Sequence, residues 1–266
     1  MNLPIYLGCT TVLIDKFTTQ YFIESIVKND VTLLPAVPTI YSALLQYPEK
    51  IEHKLRYSVS GGAPLPIKIE LNFEEKFNCK ILQGYGLTEC SPIVSVNPPD
   101  KEIQGSVGKP LPNTDVKLMD EQGNIIDKGI GEIIVKGPNV MMGYYQLDSS
   151  EFFINGYFYT GDIGKIEDNG YLYIVDRKKD LIIVNGLNVY PSEIEKLILT
   201  YPAILECAVV GKNDENRGEV PVAFVVPNKE IDKKDLMSFL RKNLANYKIP
   251  KEIIIKDQLP KNNTGK

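Results

Sequence analysis

With 266 residues, 43% of them hydrophobic and 24% charged, the chain has enough apolar surface for one large or two modest packed domains, which excludes a disordered protein. Its 30 basic and 34 acidic residues leave a net charge of -4, so no general basic surface draws nucleic acid, and none is expected as a partner. No apolar run approaches the ~20 residues needed to cross a bilayer, and the opening MNLPIYLGCTTVLIDKF lacks the pattern of a secretion signal, so the expected compartment is cytoplasmic.

Up to about Cys90, short β-rich runs (TTVLID, VTLLP, LRYSVS, CKILQGYG) alternate with helical patterns (TTQYFIESIVKN, PTIYSALLQY, LPIKIELNFEEKF). That alternation predicts parallel α/β structure. From about Lys101 to Val175, short strands broken by Gly, Pro and Asn predict an antiparallel or barrel-like subdomain. Beyond the charged DRKKD stretch come LIIV, a helix from about Pro191, ECAVVG, EVPVAFVV, a helix from about Lys233 and a strand near EIIIKD, which read as a compact α+β block. Pro191, Ser192 and the acidic residues after them favour a helix start at that point.

Cys9, Cys79, Cys90 and Cys207 are scattered without a CxxC pair, which predicts reduced and mostly packing residues rather than a zinc site or a disulfide framework. The one histidine, His53, lies in the polar stretch EKIEHKLR and reads as a solvated side chain. Chemistry must then rest on lysine, carboxylate, hydroxyl and backbone groups.

Four motifs carry such groups. In LQGYGLTECSP a strand runs into Gly84 and Gly86, which lack side chains and admit a ligand to the backbone, with the flat face of Tyr85 between them. Thr88 offers a hydroxyl for a phosphate oxygen, and Glu89 a carboxylate for a hard cation. A glycine-rich turn with a packed tyrosine accounts for the same residues. SVSGGAPLP places Gly61, Gly62 and Ala63 between a strand and a helix, where bare backbone can line a flat ring or a phosphate. In GYFYTGDIGKIEDNGYLYIVDRKKD, Asp162 and Arg177 can accept from and donate to vicinal ribose hydroxyls. A turn residue and a surface ion pair are the alternatives. The loop at Gly186 in VNGLNVYP reads equally as an ordinary strand-to-helix turn.

Taken together, SGGAPL, QGYGLTECSP, GSVGKPLPN, GEIIVKGPNVMMGYY, YTGD, DRKKDLIIVNGLNVYPSEIE and LPKNNTGK resemble the superfamily of acyl-CoA synthetases, peptide-synthetase adenylation domains and luciferases. The fold class implied is α/β and α+β. Residues 1–176 would be the back part of an AMP-binding domain, with an α/β sheet over 1–100 and a β-rich subdomain over 101–176. Residues 177–266 would be a small mobile C-terminal domain turning about Lys179.

By position, the resemblance implies that Gly61, Gly62, Ala63 and Gly84 to Gly86 frame the adenine of ATP or AMP, with Tyr85 against its face. Thr88 would hold the phosphate, Glu89 would serve Mg2+, and Asp162 and Arg177 would bind the ribose. Lys266 matches the catalytic lysine that bridges carboxylate and α-phosphate. The Gly186 loop would give the pantetheine arm of coenzyme A its path to the acyl-adenylate.

The family's Gly/Ser/Thr-rich loop for the terminal phosphates, its aromatic or histidine segment near the acyl pocket and its basic tail have no match here. The expectation is therefore a fragment that does not adenylate alone, with unpaired strand edges in its first part. NGLNVYPSEIE and GYGLTECSP look most like bacterial long- and medium-chain fatty-acid CoA ligases, and the unbroken passage from IVDRKKD to LIIVNG argues against ligases that feed a carrier protein. Aryl acids and succinylbenzoate stay open as substrates. A fatty acid would bring peripheral membrane contact, although no strongly basic amphipathic helix marks it. Rival readings are a nonenzymatic AMP-binding remnant and a purely structural α/β protein.

Overall fold

The computed structural model describes residues 2–260. Contacts group them into two compact units. One runs to Thr114 and takes in Gly137–Met141; the other comprises Asp115–Lys136 and continues from Met142.

The first unit opens with helices α1 (Asn2–Tyr6) and α2 (Thr19–Lys28) and continues as β1 (Leu33–Ala36), α3 (Pro38–Leu45), β2 (Tyr57–Ser60), α4 (Ile67–Phe77), β3 (Lys80–Gly86), β4 (Ile93–Val96) and β5 (Lys109–Pro110). Strand order is β1-β2-β3-β4-β5, parallel through β3 and antiparallel from β3 to β5. Thr18 caps α2 by accepting from the Tyr21 N–H at 3.2 Å, and the apolar spacing of that helix buries Ile23 and Ile26. Phe73 stacks on Phe77 with centroids 4.5 Å apart, and Tyr41 meets Phe73 edge-on at 4.9 Å. Each such ring stabilises the unit by about 1.5–3 kcal/mol through burial.

TTVLID is not a strand: the segment runs irregularly, with Leu13 exposed. A run of β-formers extends into a ladder only beside another strand, and none of the described strands pairs with it. Among the described strands β1 ends the sheet, and its Leu33 is exposed. His53 is half-buried rather than solvated. Its Nδ1 accepts from the Leu55 N–H at 3.1 Å and its ring packs on Phe77.

The second unit begins with an antiparallel sheet of β6 (Asp115–Met119), β7 (Ile125–Ile126), β8 (Gly129–Lys136), β9 (Phe153–Ile154), β10 (Tyr157–Ile166) and β11 (Leu172–Arg177). Its order is β11-β10-β8-β6-β7, with β9 against β10, so the described sheet is open rather than a closed barrel. There follow β12 (Ile182–Val184), β13 (Leu187–Val189), α5 (Pro191–Leu199), β14 (Ile204–Asp214), β15 (Gly218–Pro227), α6 (Lys233–Asn243) and β16 (Glu252–Ile255).

Helices α5 and α6 bury Ile194, Ile198, Leu236 and Leu240 in one core with Val209, Val225 and Ile253. The start of α5 is fixed from outside the helix, since Asp176 Oδ2 accepts from the Ser192 N–H at 2.9 Å while the Ser192 hydroxyl donates to the Val175 carbonyl. Through these bonds the residue before Arg177 is tied to the α+β block. The fold class is thus α/β and α+β, as expected.

Candidate functional site

In the first unit the predicted adenine residues meet at the ends of two parallel strands. Ser60 and Gln83 are register partners, so Gly61 and Gly84 follow side by side, and a Cβ on Gly61 would sit 3.8 Å from the Gly84 carbonyl oxygen. Gly62 has φ +80°, the left-handed region that favours glycine, and Ala63 is half-buried beside it. The Ser60 hydroxyl is buried with no hydrogen-bond partner among the described residues, an unassigned polar atom next to this turn.

Tyr85 is half-buried and pairs with Ser95 of β4, and Thr88 and Glu89 begin a short 3-10 turn that ends at Cys90. Thr88 is exposed. Gly86 has a packing reason of its own, because a Cβ there would lie 1.9 Å from the Pro92 carbonyl oxygen.

The scaffold behind this segment was not legible as function. Asn139, in the GPN of GEIIVKGPNVMMGYY, donates through Nδ2 to the Cys90 and Ile93 carbonyls at 3.0 and 3.2 Å. The Met141 N–H donates to the Glu89 carbonyl at 2.8 Å. A returning segment thus clasps the Thr88–Glu89 turn. Below it, Asn97 Nδ2 donates to the Gln83 and Ser106 carbonyls, and its Oδ1 accepts from the Ile103 N–H and the Ser106 hydroxyl. Every polar atom of this buried amide is used, which rigidifies β3 just before Gly84. The Cys90 thiol is pushed up to about 11, first by burial and then by the Glu89 charge, so it is no nucleophile near neutral pH.

Glu70 on α4 is buried and accepts from Gln83 Nε2 at 2.9 Å. Burial raises its carboxyl above the usual range, against the hydrogen bond from Gln83. A raised native value means that the stabilising contribution is complete below the unfolded value, about 4.3, and is lost as pH rises through the native one. Glu70→Gln should therefore gain stability relative to the parent as pH rises from 4 toward 7. Urea midpoints of the two proteins across that range test this, and parallel curves refute it.

In the second unit Asp162 and Arg177 are direct cross-strand partners of β10 and β11. Arg177 Nε lies 3.4 Å from Asp162 Oδ1, with the aspartate side chain 14% exposed and the arginine 57%. A fixed acceptor beside a solvent-facing fork of donors suits a vicinal diol, which both donates and accepts. The ladder slips between Tyr159 and Ile163, and Thr160 pins the irregular stretch by donating to the Ile133 carbonyl at 2.8 Å and accepting from the Asp162 N–H at 3.1 Å.

Lys179 is exposed within a short 3-10 turn, Lys178–Asp180. Asn185 and Gly186, with φ +51° and +79°, form the two-residue turn between β12 and β13. Hairpin geometry alone asks for glycine there, and nothing lies within 4 Å of where its Cβ would stand.

The adenine and ribose groups belong to different compact units. Lys266 lies outside the described residues. Glu89 is a single carboxylate, and among the described residues no group of three or more His, Cys, Asp or Glu could hold a metal. One carboxylate suits magnesium, which takes one or two protein carboxylates and fills its shell with substrate phosphates and water.

Comparison with known proteins gives these features a context. Residues 1–145 match the family described as AMP-binding enzyme, and residues 193–266 match AMP-binding enzyme C-terminal domain. The long-chain-fatty-acid–CoA ligase of Yersinia pestis is 43% identical over 244 residues, which are 88% of this chain and 43% of the relative. The 2-succinylbenzoate–CoA ligase of Bacillus velezensis is 40% identical over 263 residues, 97% of this chain and 54% of the relative. The solved structure of the o-succinylbenzoate CoA synthetase from Bacillus subtilis, in complex with the acyl-adenylate intermediate OSB-AMP, aligns with TM-score 0.89 at 35% identity, over 99% of this chain and 55% of that one. The chain spans about half the length of the relatives it matches. With one family match over residues 1–145 and its C-terminal companion over 193–266, the chain belongs to the AMP-binding enzymes of the adenylate-forming superfamily.

Proposed function

We propose that this chain supplies the AMP-binding part of an ATP-dependent acid–thiol ligase acting on a fatty acid. The observation that carries the proposal is the Asp162–Arg177 pair, set face to face across β10 and β11 in a chain whose relatives are named CoA ligases. In the first half-reaction a carboxylate oxygen attacks the α-phosphorus of ATP and pyrophosphate leaves, giving acyl-AMP. In the second, the thiol of coenzyme A, losing its proton, attacks the acyl carbon, and AMP leaves.

Gly61, Gly62, Ala63 and Gly84 to Gly86 frame the adenine, with Tyr85 on its face, and Asp162 and Arg177 hold the ribose. Thr88 holds phosphate. Glu89 would supply one ligand to magnesium, which when bound neutralises phosphate charge. Lys266 offsets the charge that builds between carboxylate and α-phosphate. Residues 177–266 move as a domain about Lys179 between the two half-reactions, and the Gly186 loop then lines the way for the thiol. No helix among the described residues is long and apolar enough to cross a membrane, and we include peripheral contact with lipid as part of the fatty-acid reading.

Mass spectrometry tests the proposal: the chain, and any longer reading frame that encloses it, are incubated with ATP, magnesium, CoA and a mixture of fatty and aryl acids. Fatty acyl-CoA is the expected product where a loop for the terminal phosphates is present, and none is expected from the chain alone. Succinylbenzoyl-CoA, favoured by the B. velezensis relative, would transfer the reading to an aryl substrate. Acyl-AMP alone would point to a carrier-protein acceptor, and AMP binding without any product would leave a nonenzymatic remnant.

A further inference from the structure

Glu132 is the acid in the middle of β8, followed by the buried Ile133, Ile134 and Val135, and its own side chain is 6% exposed. An ionised carboxylate in such a place is costly unless its oxygens are paired. Both are. Oε1 accepts from the Gly161 N–H at 3.2 Å, and Oε2 accepts from Lys178 Nζ at 2.7 Å.

The two partners are the immediate neighbours of the ribose pair. Gly161 precedes Asp162, and Lys178 follows Arg177. Gly161 has φ +72° and lies where the β8–β10 ladder loses register, so its N–H turns to the Glu132 side chain rather than continuing the regular ladder. Thr160 holds the same irregular stretch from its other side. One buried carboxylate therefore grips β10 one residue before Asp162 and the chain one residue after Arg177.

We infer that Glu132 is a positioning residue for ribose recognition, setting the spacing of the Asp162 carboxylate and the Arg177 guanidinium through Gly161 and Lys178. The inference rests on the proposed role of that pair. Both oxygens of Glu132 are taken up by Gly161 and Lys178, so its effect on binding should run through the pair and appear only for ligands whose hydroxyls the pair reads.

The test is competition calorimetry on the full chain with AMP and 2′,3′-dideoxy-AMP, for the parent, Glu132→Ala, Glu132→Gln and Lys178→Met. Glu132→Ala should weaken AMP about tenfold, as expected for a misaligned charged hydrogen bond, and leave dideoxy-AMP unchanged. Glu132→Gln keeps an acceptor for Gly161 and should restore part of the loss, while Lys178→Met should give a smaller loss of the same kind. In an Asp162→Ala background, Glu132→Ala should cost no further AMP affinity. Should Glu132→Ala fail to fold, the other two variants carry the comparison. Equal weakening of both ligands, or an unchanged ratio in the folded variants, overturns the inference and spares the ribose reading. A parent that binds both ligands equally removes the ribose reading and the inference with it.

Discussion

Replacing Gly86 with alanine should destabilise the first unit by about 3 kcal/mol or more, whatever its effect on nucleotide binding. The added Cβ would stand 1.9 Å from the Pro92 carbonyl oxygen, 2.8 Å from its carbon and 2.9 Å from Ile93 Cα. All three are backbone atoms, so no rotamer change relieves the clash, and Gly86 is itself the ladder partner of Ile93. The β3–β4 pairing that carries Gly84 and Tyr85 must open to admit the methyl group.

Gly62→Ala is the informative companion, since the nearest atom to its Cβ would be Val37 Cγ1 at 3.9 Å. There the cost is only that of a left-handed φ, about 1–2 kcal/mol. Urea unfolding followed by far-ultraviolet circular dichroism should thus rank parent, Gly62→Ala and Gly86→Ala in falling order of midpoint. A Gly86→Ala midpoint equal to that of the parent would contradict the backbone clash.

The contrast shows how the sequence could be read correctly in outline and only partly in cause. Glycines at 84 and 86 suggested room for a ligand, yet Gly86 is required by a chain segment that returns to lie against it. Elements whose signals were local were legible: the helices at Thr19, Pro38, Pro191 and Lys233 fall in the stretches whose pattern is helical, and Pro191 marks its own start.

Elements that depend on distant partners were not. TTVLID has the composition of a strand without a neighbour to make it one, and β4 joins a parallel sheet in the opposite sense, which no local pattern reveals. The same limit hid the support of the site. Asn139 and Glu132 lie 49 and 29 residues from the groups they hold, Cys90 and Gly161. A signal for Glu132 did exist in GEIIVKG, where a charged residue opens an apolar run on a strand. An acid so placed must find a partner, and the partner identifies its task.

Asp162→Ala should lower AMP affinity by about ten- to a hundredfold while the chain stays folded. Hydrogen bonds to a charged group contribute about 1.5–3 kcal/mol, and each 1.4 kcal/mol is a factor of ten in affinity. The Asp162 carboxylate is well shielded, so solvent screens these bonds little, whereas the guanidinium of Arg177 is 57% exposed. Arg177→Ala should accordingly cost less, within about tenfold. The backbone of Asp162 is held independently of its side chain, by its N–H on Thr160 and by the ladder to Arg177, so truncation removes the acceptor without releasing the strand.

Asp162→Asn separates charge from hydrogen bonding, because the amide can still accept from the diol but no longer attracts the guanidinium, and it should fall between the parent and alanine. Calorimetric titration of AMP into the parent and the three variants, with circular dichroism to confirm folding, measures all of these effects. Parental affinity in folded Asp162→Ala would mean that the pair is a surface ion pair and that the nucleotide is read elsewhere. A larger loss in Arg177→Ala than in Asp162→Ala would mean that the guanidinium, not the carboxylate, anchors the ribose.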